Sequence, residues 1–261
     1  MHALVVAIDW PLIWQRIFHP GPVFWHALWV TVYVSVISQG LGVLLGLIAA
    51  LMRVSRFAPL RWLSGIYAWI FRGTPLLVQI FFIYVTFNLP SINLHFWTIS
   101  SEALTGIVAL SLNEGAYMRE IIRAGIDSID KGQMEAAKSL GMRYGLAMRR
   151  IVLPQAARVI VPPLGNEFNN MMKNTSLLAF IGVYELFADA QQGYSASFNG
   201  DYFIVVAFWY LMLTTVWTFI QAWIERRLAK SEHGEDLSFR ERLALAWNPI
   251  GTMTRLGKGE M

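Results

Sequence analysis

Five apolar runs, each near the length of one membrane crossing, divide the sequence. A bilayer core about 30 Å thick requires roughly 20 apolar residues in an α-helix. The second run is interrupted by Arg72-Gly73-Thr74-Pro75, where a helix is expected to break or kink. The pattern predicts an all-α fold, an integral membrane bundle of five transmembrane helices. The predicted spans cover about residues 24–52, 60–89, 103–122, 163–186 and 202–224.

The basic residues between these runs orient the predicted bundle. Of the 21 Lys and Arg residues, 18 lie at residues 53–61, at residues 119–158 or after residue 225. Segments 88–102 and 187–201 contain none. Because cytoplasmic loops carry an excess of Lys and Arg, the N-terminus is predicted outside and the C-terminus in the cytoplasm.

Composition supports a membrane protein and excludes several kinds of site. The chain is 56% hydrophobic and 15% charged, whereas soluble domains carry about 25% charged residues. It has no Cys, which excludes disulfides, thiolate metal sites and Cys catalysis. The five His residues show no metal-ligand spacing, so no metal is expected. The net charge of +4 is attributed to orientation and does not indicate a nucleic-acid partner.

The two ends differ from the predicted transmembrane domain at residues 21–227. Residues 1–20 lack the basic n-region of a signal peptide. They are interpreted as a short external segment at the bilayer surface, anchored by Trp10, Trp14 and Phe18, or else as a frayed tail. Residues 228–261 are predicted to form a cytoplasmic tail.

The inner loop at about residues 123–160 is too polar to cross the membrane and rich in helix formers. Gln133–Leu140 predicts one short helix, which Gly141 can end. Tyr144–Val152 predicts a second, ended by Pro154. Small side chains in such a unit allow a partner backbone to approach closely, although the loop could equally cap the bundle.

The fourth run carries a stripe of polar side chains. On a helix they fall within an arc of roughly 160°, away from an apolar side. Polar groups in a span are costly, so this stripe either lines a wet cavity that contacts a ligand or packs on a second subunit. Glu167 and Lys173 are too far apart to pair along the helix, which leaves one free for a zwitterionic ligand. The stripe consists of Asn166, Glu167, Asn169, Asn170, Lys173 and Asn174.

Three further intramembrane features have open roles. Glu114 could hold an ammonium group or brace Arg72 within the fold. Arg72, at the predicted break, could meet a ligand carboxylate or be structural. Gly42 and Gly46 form a small-xxx-small pair that predicts close helix packing.

The inner loop resembles the EAA loop of bacterial ABC importer permeases. Glu135-Ala136-Ala137, Gly141 and then Ile151-x-Leu153-Pro154 match that pattern at every position and spacing. Further motifs resemble the polar amino acid uptake branch, which has a MetI-like transmembrane fold. The resemblance runs from about residue 24 to 227. These motifs are Arg72-Gly-Thr-Pro-Leu-Leu-Val-Gln79, Glu114-Gly-Ala-Tyr117, Arg123-Ala-Gly-Ile126, Gly132-Gln133, Pro162-Pro-Leu-Gly-Asn-Glu167 and Lys173-Asn-Thr-Ser-Leu177.

The resemblance implies a transport subunit of the bacterial inner membrane, with no catalytic residues of its own. The EAA loop would form a coupling helix that docks on a dimer of ATP-binding cassette subunits, which bind ATP and Mg. A second permease subunit, identical or related, and an extracytoplasmic amino-acid-binding protein complete the implied assembly. ATPase coupling would fall to Glu135, Ala136, Ala137, Gly141, Ile151, Leu153 and Pro154. The substrate path for a polar amino acid would include Glu167, Asn170, Lys173, Asn174, Asn166, Glu114 and Arg72.

The sequence offers no P-loop for binding ATP. That motif requires Gly-x-x-x-x-Gly-Lys-Ser/Thr, and the string at residues 251–259 has the wrong spacing and lacks the hydroxyl residue.

Two other function classes compete with this interpretation. A membrane hydrolase is disfavoured because Ser-x-x-Lys and His-Glu-x-x-His motifs are missing. An ion-driven secondary transporter or channel would explain the polar stripe but leave the inner helix–Gly–helix unit without a role. The sequence does not specify which amino acid is carried.

Overall fold

The computed structural model describes residues 8–94 and 97–229, and its architecture is helical, as the apolar pattern predicts. By internal packing the chain divides after Ala222, and of the second unit the structure describes residues 223–229. Residues 230–261 of the predicted cytoplasmic tail, which include the rejected P-loop string, lie outside the described residues. The helices are α1 Trp10–Phe18, α2 Pro22–Val54, α3 Ala58–Gly73, α4 Leu76–Thr86, α5 Ser101–Asp127, α6 Lys131–Ser139, α7 Tyr144–Ala147, α8 Leu153–Asn174, α9 Leu186–Ser197 and α10 Asp201–Ala229.

Three shorter elements complete the fold. The π-helical turn Met148–Val152 joins α7 to α8, and the 3-10 segment Thr175–Ile181 follows α8. Strands β1 (Ile92–Leu94) and β2 (Trp97–Ile99) form a small antiparallel hairpin, with Asn93 opposite Thr98. The sequence pattern did not predict this hairpin, because three-residue strands are too short to show a period of two.

The helices match the apolar runs unevenly. Within the described residues, α2 and the Asp201–Leu228 part of α10 are long and apolar enough to cross a membrane. Helices α3 and α4 form a pair bent by 108° at the predicted break, which is either one broken span or a re-entrant loop. Helices α5 and α8 carry charged side chains and are not apolar enough to be assigned as spans on the same basis. The count of five spans therefore remains a prediction.

Helices α2 and α5 cross at glycines. A Cβ atom added at Gly42 would lie 2.5 Å from Cγ of Glu114, and one at Gly115 would lie 2.9 Å from Cβ of Leu45. One added at Gly46 would collide with Met118. The close packing predicted for Gly42 and Gly46 is confirmed, since only glycine fits where the two backbones approach.

The break between α3 and α4 is closed by two buried amide side chains. Nε2 of Gln79 donates to the carbonyl oxygens of Phe71 (2.9 Å) and Thr74 (3.0 Å). Nδ2 of Asn113, on α5, donates to the same Phe71 carbonyl (3.0 Å) and to Oε1 of Gln79 (2.9 Å). A broken helix leaves carbonyl groups unpaired, and in lipid each must find a protein donor.

The fourth predicted span was wrong in its bounds. Pro154 does not end the preceding helix but lies in the first turn of α8, where its missing N–H costs little. The π-helical turn before it pairs the Leu153 N–H with the Met148 carbonyl and widens the helix ahead of the proline ring. At the other end the α-helix stops at Asn174, and a 3-10 segment covers residues predicted to continue the span.

We expect Gly46→Ala to lower the stability of the purified protein, because the new methyl group meets Met118 and the backbone of α5. Overpacking of this kind costs about 1–3 kcal/mol. Gly40→Ala is the matched control, since an added Cβ there meets nothing within 4 Å. Thermal melting in detergent should show a lower Tm for Gly46→Ala and an equal or higher Tm for Gly40→Ala. Equal melting of the two variants would contradict a close α2–α5 crossing.

Candidate functional site

The inner helix–Gly–helix unit is built by local capping. Asp130 caps the start of α6 by accepting a hydrogen bond from the Gly132 N–H at 2.8 Å. Gly141 ends the unit's first helix with φ +77°, a left-handed conformation that favours glycine. The N–H of Gly141 donates to the Lys138 carbonyl (2.9 Å) and that of Met142 to the Ala137 carbonyl (3.0 Å), a Schellman motif. Gly141 therefore reverses the chain as its position predicted.

The predicted coupling residues do not all face the same way. Ala137 is 1% exposed, and α6 packs against α7 and the π-helical turn. Ala137 is thus part of the internal packing of the unit and is not accessible on its surface. Ile151 is partly buried. The accessible members are Glu135, Ala136, Gly141, Leu153 and Pro154.

Large apolar side chains project from this unit. Leu140 is 82% exposed and Tyr144 is 62% exposed, although both lie in a polar segment of the chain. An exposed apolar patch in a polar segment marks an interaction surface. Sequence reasoning missed Leu140 and Tyr144 because their burial depends on how α6 folds against α7.

The polar stripe of α8 is accessible along one line. Asn166, Asn170 and Lys173, spaced four and three residues apart, are exposed, while Met171 and Met172 on the other side are buried. Oδ1 of Asn169 is buried and has no hydrogen-bond partner among the described residues. The stripe therefore faces away from this chain's own core, as a cavity wall or a subunit interface would. Glu167 and Asn174 are partly buried beside it.

Glu114 lies on α5, the helix against which α8 packs. It is 5% exposed, and its Oε1 accepts a hydrogen bond from Nε2 of Gln39 at 2.9 Å. This hydrogen bond joins α5 to α2, and α5 also packs against α8, a pairing of helices that the spacing in the sequence could not indicate.

Arg72 does not brace Glu114. Its guanidinium lies 3.9 Å from Oε1 of Glu120 and 5.5 Å from the centre of the Tyr117 ring. Both partners are on α5, so Arg72 anchors the end of α3 to that helix. Glu120 was missed as a partner because this pairing depends on where α3 packs along α5, which the sequence does not indicate.

The described residues hold no group of three or more His, Asp or Glu side chains arranged for a metal ion. The polar groups that the fold assembles are amides, two carboxylates and cationic side chains. Such groups can hold the ammonium and carboxylate of a small polar solute through hydrogen bonds and ion pairs.

Comparison with known proteins identifies the family. The sequence profile described as "Binding-protein-dependent transport system inner membrane component" matches residues 42–230. The arginine transport system permease protein ArgU of Corynebacterium glutamicum is 40% identical over 225 residues, covering 83% of this chain and 71% of that protein. The L-cystine transport system permease protein TcyB of Bacillus subtilis is 40% identical over 229 residues, covering 86% and 93%.

Solved structures agree with the sequence comparison. A crystal structure described as an amino acid ABC transporter with histidines matches with a TM-score of 0.73 and 35% identity, over 85% of this chain and 99% of that one. The MetNI methionine ABC transporter in an inward-facing conformation matches with a TM-score of 0.65 at 18% identity, over 85% of this chain and 99% of that one, which shows the shared fold alone. The chain belongs to the family of inner-membrane components of binding-protein-dependent transport systems, and it is a transport subunit of the ABC importer type rather than an enzyme.

Proposed function

We propose that this chain is the membrane-spanning permease subunit of an ATP-driven importer of polar amino acids. The observation that carries the proposal is the pairing of two features: a capped helix–Gly–helix unit with exposed apolar side chains, and an accessible polar stripe on α8. The named relatives transport arginine and L-cystine, which are both polar amino acids. An ion-driven transporter would need the stripe but not the helix–Gly–helix unit.

The proposed assembly has five further components. Two ATP-binding cassette subunits bind ATP and Mg and close on hydrolysable nucleotide. A second permease subunit, identical or related, completes the pathway across the bilayer. An extracytoplasmic binding protein delivers the amino acid, and the amino acid itself is the fifth component. In this arrangement α6 is the coupling helix, with Leu140, Gly141 and Tyr144 at its docking surface.

Leu140→Glu and Gly141→Glu should uncouple the permease from its ATP-binding subunit. The first places a charge in an apolar contact, and the second also strains a residue at φ +77°. Loss of one central contact in an interface costs about 2 kcal/mol, so retention of the ATP-binding subunit should fall about 30-fold. Co-purification on a tagged permease measures this retention, and ATP-driven uptake should fall with it.

Gly200→Glu is the matched control for the coupling variants. Gly200 is exposed in the turn between α9 and α10, and an added Cβ meets nothing within 4 Å. It should leave both co-purification and uptake unchanged. Uptake that survives Leu140→Glu and is driven by an ion gradient would overturn the proposal in favour of a secondary transporter.

The substrate path is proposed to run along the exposed line of α8. Glu167, with Glu114 behind it, provides negative charge for an ammonium group, and Lys173 provides positive charge for a carboxylate. Asn166, Asn170 and Asn174 supply amide groups that can donate and accept hydrogen bonds. The unpaired Oδ1 of Asn169 supports this use of the face, because a buried acceptor without a partner is costly unless water or a ligand reaches it.

Asn170→Leu should raise the KM for uptake about tenfold or more, because it removes hydrogen bonds worth about 1–3 kcal/mol in a desolvated path. Co-purification of the ATP-binding subunit should not change. Asn88→Leu, an exposed Asn outside the stripe, serves as control. Uptake of labelled amino acids in proteoliposomes measures the effect. An unchanged KM would indicate that the stripe packs on the second subunit instead.

The orientation is proposed from the loop charges, with the N-terminus outside and the C-terminus in the cytoplasm. The chain has no Cys, so single-cysteine variants report accessibility cleanly. In right-side-out membrane vesicles, a membrane-impermeant maleimide should label Ser195→Cys on α9. It should label Ser139→Cys on α6 only after permeabilisation. Labelling of Ser139→Cys in sealed vesicles would place α6 outside and rule out any coupling role for it.

A further inference from the structure

A groove lies between the end of α2 and the outward face of α3. It comprises two adjoining cavities of about 440 and 480 Å³, which share Arg53, Gly65 and Trp69. Arg61, Trp62 and Ile66 line one cavity, and Arg72 lines the other. None of the functions proposed above uses this groove.

Positive charge around the groove exceeds negative charge. Glu120 is the shared carboxylate partner of Arg72, Arg119 and Arg123, so one negative charge serves three guanidinium groups. Arg123 also pairs with Asp127 at 2.8 Å. The guanidinium of Arg53 adds its charge near that of Arg119.

Two arginines that line the groove, Arg53 and Arg61, have no carboxylate partner in the part of the chain that the structure describes. Arg61 donates from Nη1 to the backbone carbonyls of Ser55 (3.0 Å) and Arg56 (2.9 Å), which positions its side chain but leaves its charge uncompensated. Arg53 is exposed at the last turn of α2. The groove therefore presents cationic groups that an anion can neutralise.

The walls of the groove are apolar and unusually open. Trp62 is 72% exposed, Trp69 is 77% exposed and Ile66 is 48% exposed. Gly65 lies between them and leaves a notch, because an added Cβ there would meet nothing within 4 Å. Exposed tryptophans beside arginines are typical of the level at which lipid headgroups meet acyl chains.

We propose that this groove binds an anionic glycerophospholipid, with the phosphate at Arg53 and Arg61 and an acyl chain along Trp62, Ile66 and Trp69. Charge complementarity selects an anion, and the apolar wall selects one that carries hydrocarbon. Basic pockets between transmembrane helices on the cytoplasmic side bind phospholipid headgroups in this way. The inference goes beyond amino acid import and uses the proposed orientation only to assign the lipid to the inner leaflet.

Native mass spectrometry of the purified full-length chain in detergent tests the proposal. The probes are phosphatidylglycerol and phosphatidylcholine with the same palmitoyl and oleoyl chains, added in equal amounts. The wild-type chain should retain phosphatidylglycerol in preference to phosphatidylcholine. Arg53→Gln should reduce that preference about fivefold, the effect expected for one removed charge near a headgroup. Gly65→Leu should reduce binding of both lipids, because it fills the notch without changing the charge.

Two control variants separate the groove from general effects. Arg56→Gln removes a charge from the same loop outside the groove lining, and Gly40→Leu adds the same side chain at another open, exposed helix glycine. Both should keep wild-type lipid binding. Wild-type binding by Arg53→Gln and Gly65→Leu, or equal losses in all four variants, would overturn the proposal. Oxidative cross-linking of Trp69→Cys between copies would also overturn it, by showing that protein covers the groove. Any of these results would contradict the lipid proposal without changing the expected results of the amino acid import tests.

Discussion

Hydrocarbon offers no hydrogen bonds, so each polar group that this chain places among its apolar helices must find a partner in protein. This constraint explains the break between α3 and α4, where Gln79 and Asn113 donate to the carbonyls that the lost helix turn leaves open. It also explains why α2 and α5 cross at glycines. Close approach at Gly42, Gly46 and Gly115 excludes lipid, and it brings Gln39 within hydrogen-bonding distance of the buried Glu114.

These internal contacts contrast with the surfaces that remain accessible to partners. Leu140 and Tyr144 project from a short helical unit whose own packing is completed by Ala137. The amides of α8 face away from the buried methionines Met171 and Met172.

The helical architecture and the inner unit could be predicted from the sequence to a large extent. Gly141 was expected to end a helix, and it does so at φ +77° in a Schellman motif, because capping depends on residues close together in the chain. The prediction that Pro154 ends a helix was wrong. A proline is tolerated in the first turn of a helix, and the π-helical turn that precedes it leaves no signal in the sequence.

The lengths of the apolar runs predicted the fold class, and the EAA spacing with its neighbouring motifs predicted the family, because each is a property of a continuous segment. Only the tertiary structure decided which polar groups meet. Arg72 on α3 pairs with Glu120 and not with Glu114. Asn113 on α5 donates a hydrogen bond to Gln79 on α4, beside the 108° bend between α3 and α4. The groove beside Gly65 likewise exists only because α3 packs on α2 and α5. Such contacts join residues far apart in the chain, so their geometry depends on how the helices cross rather than on the local pattern of residues.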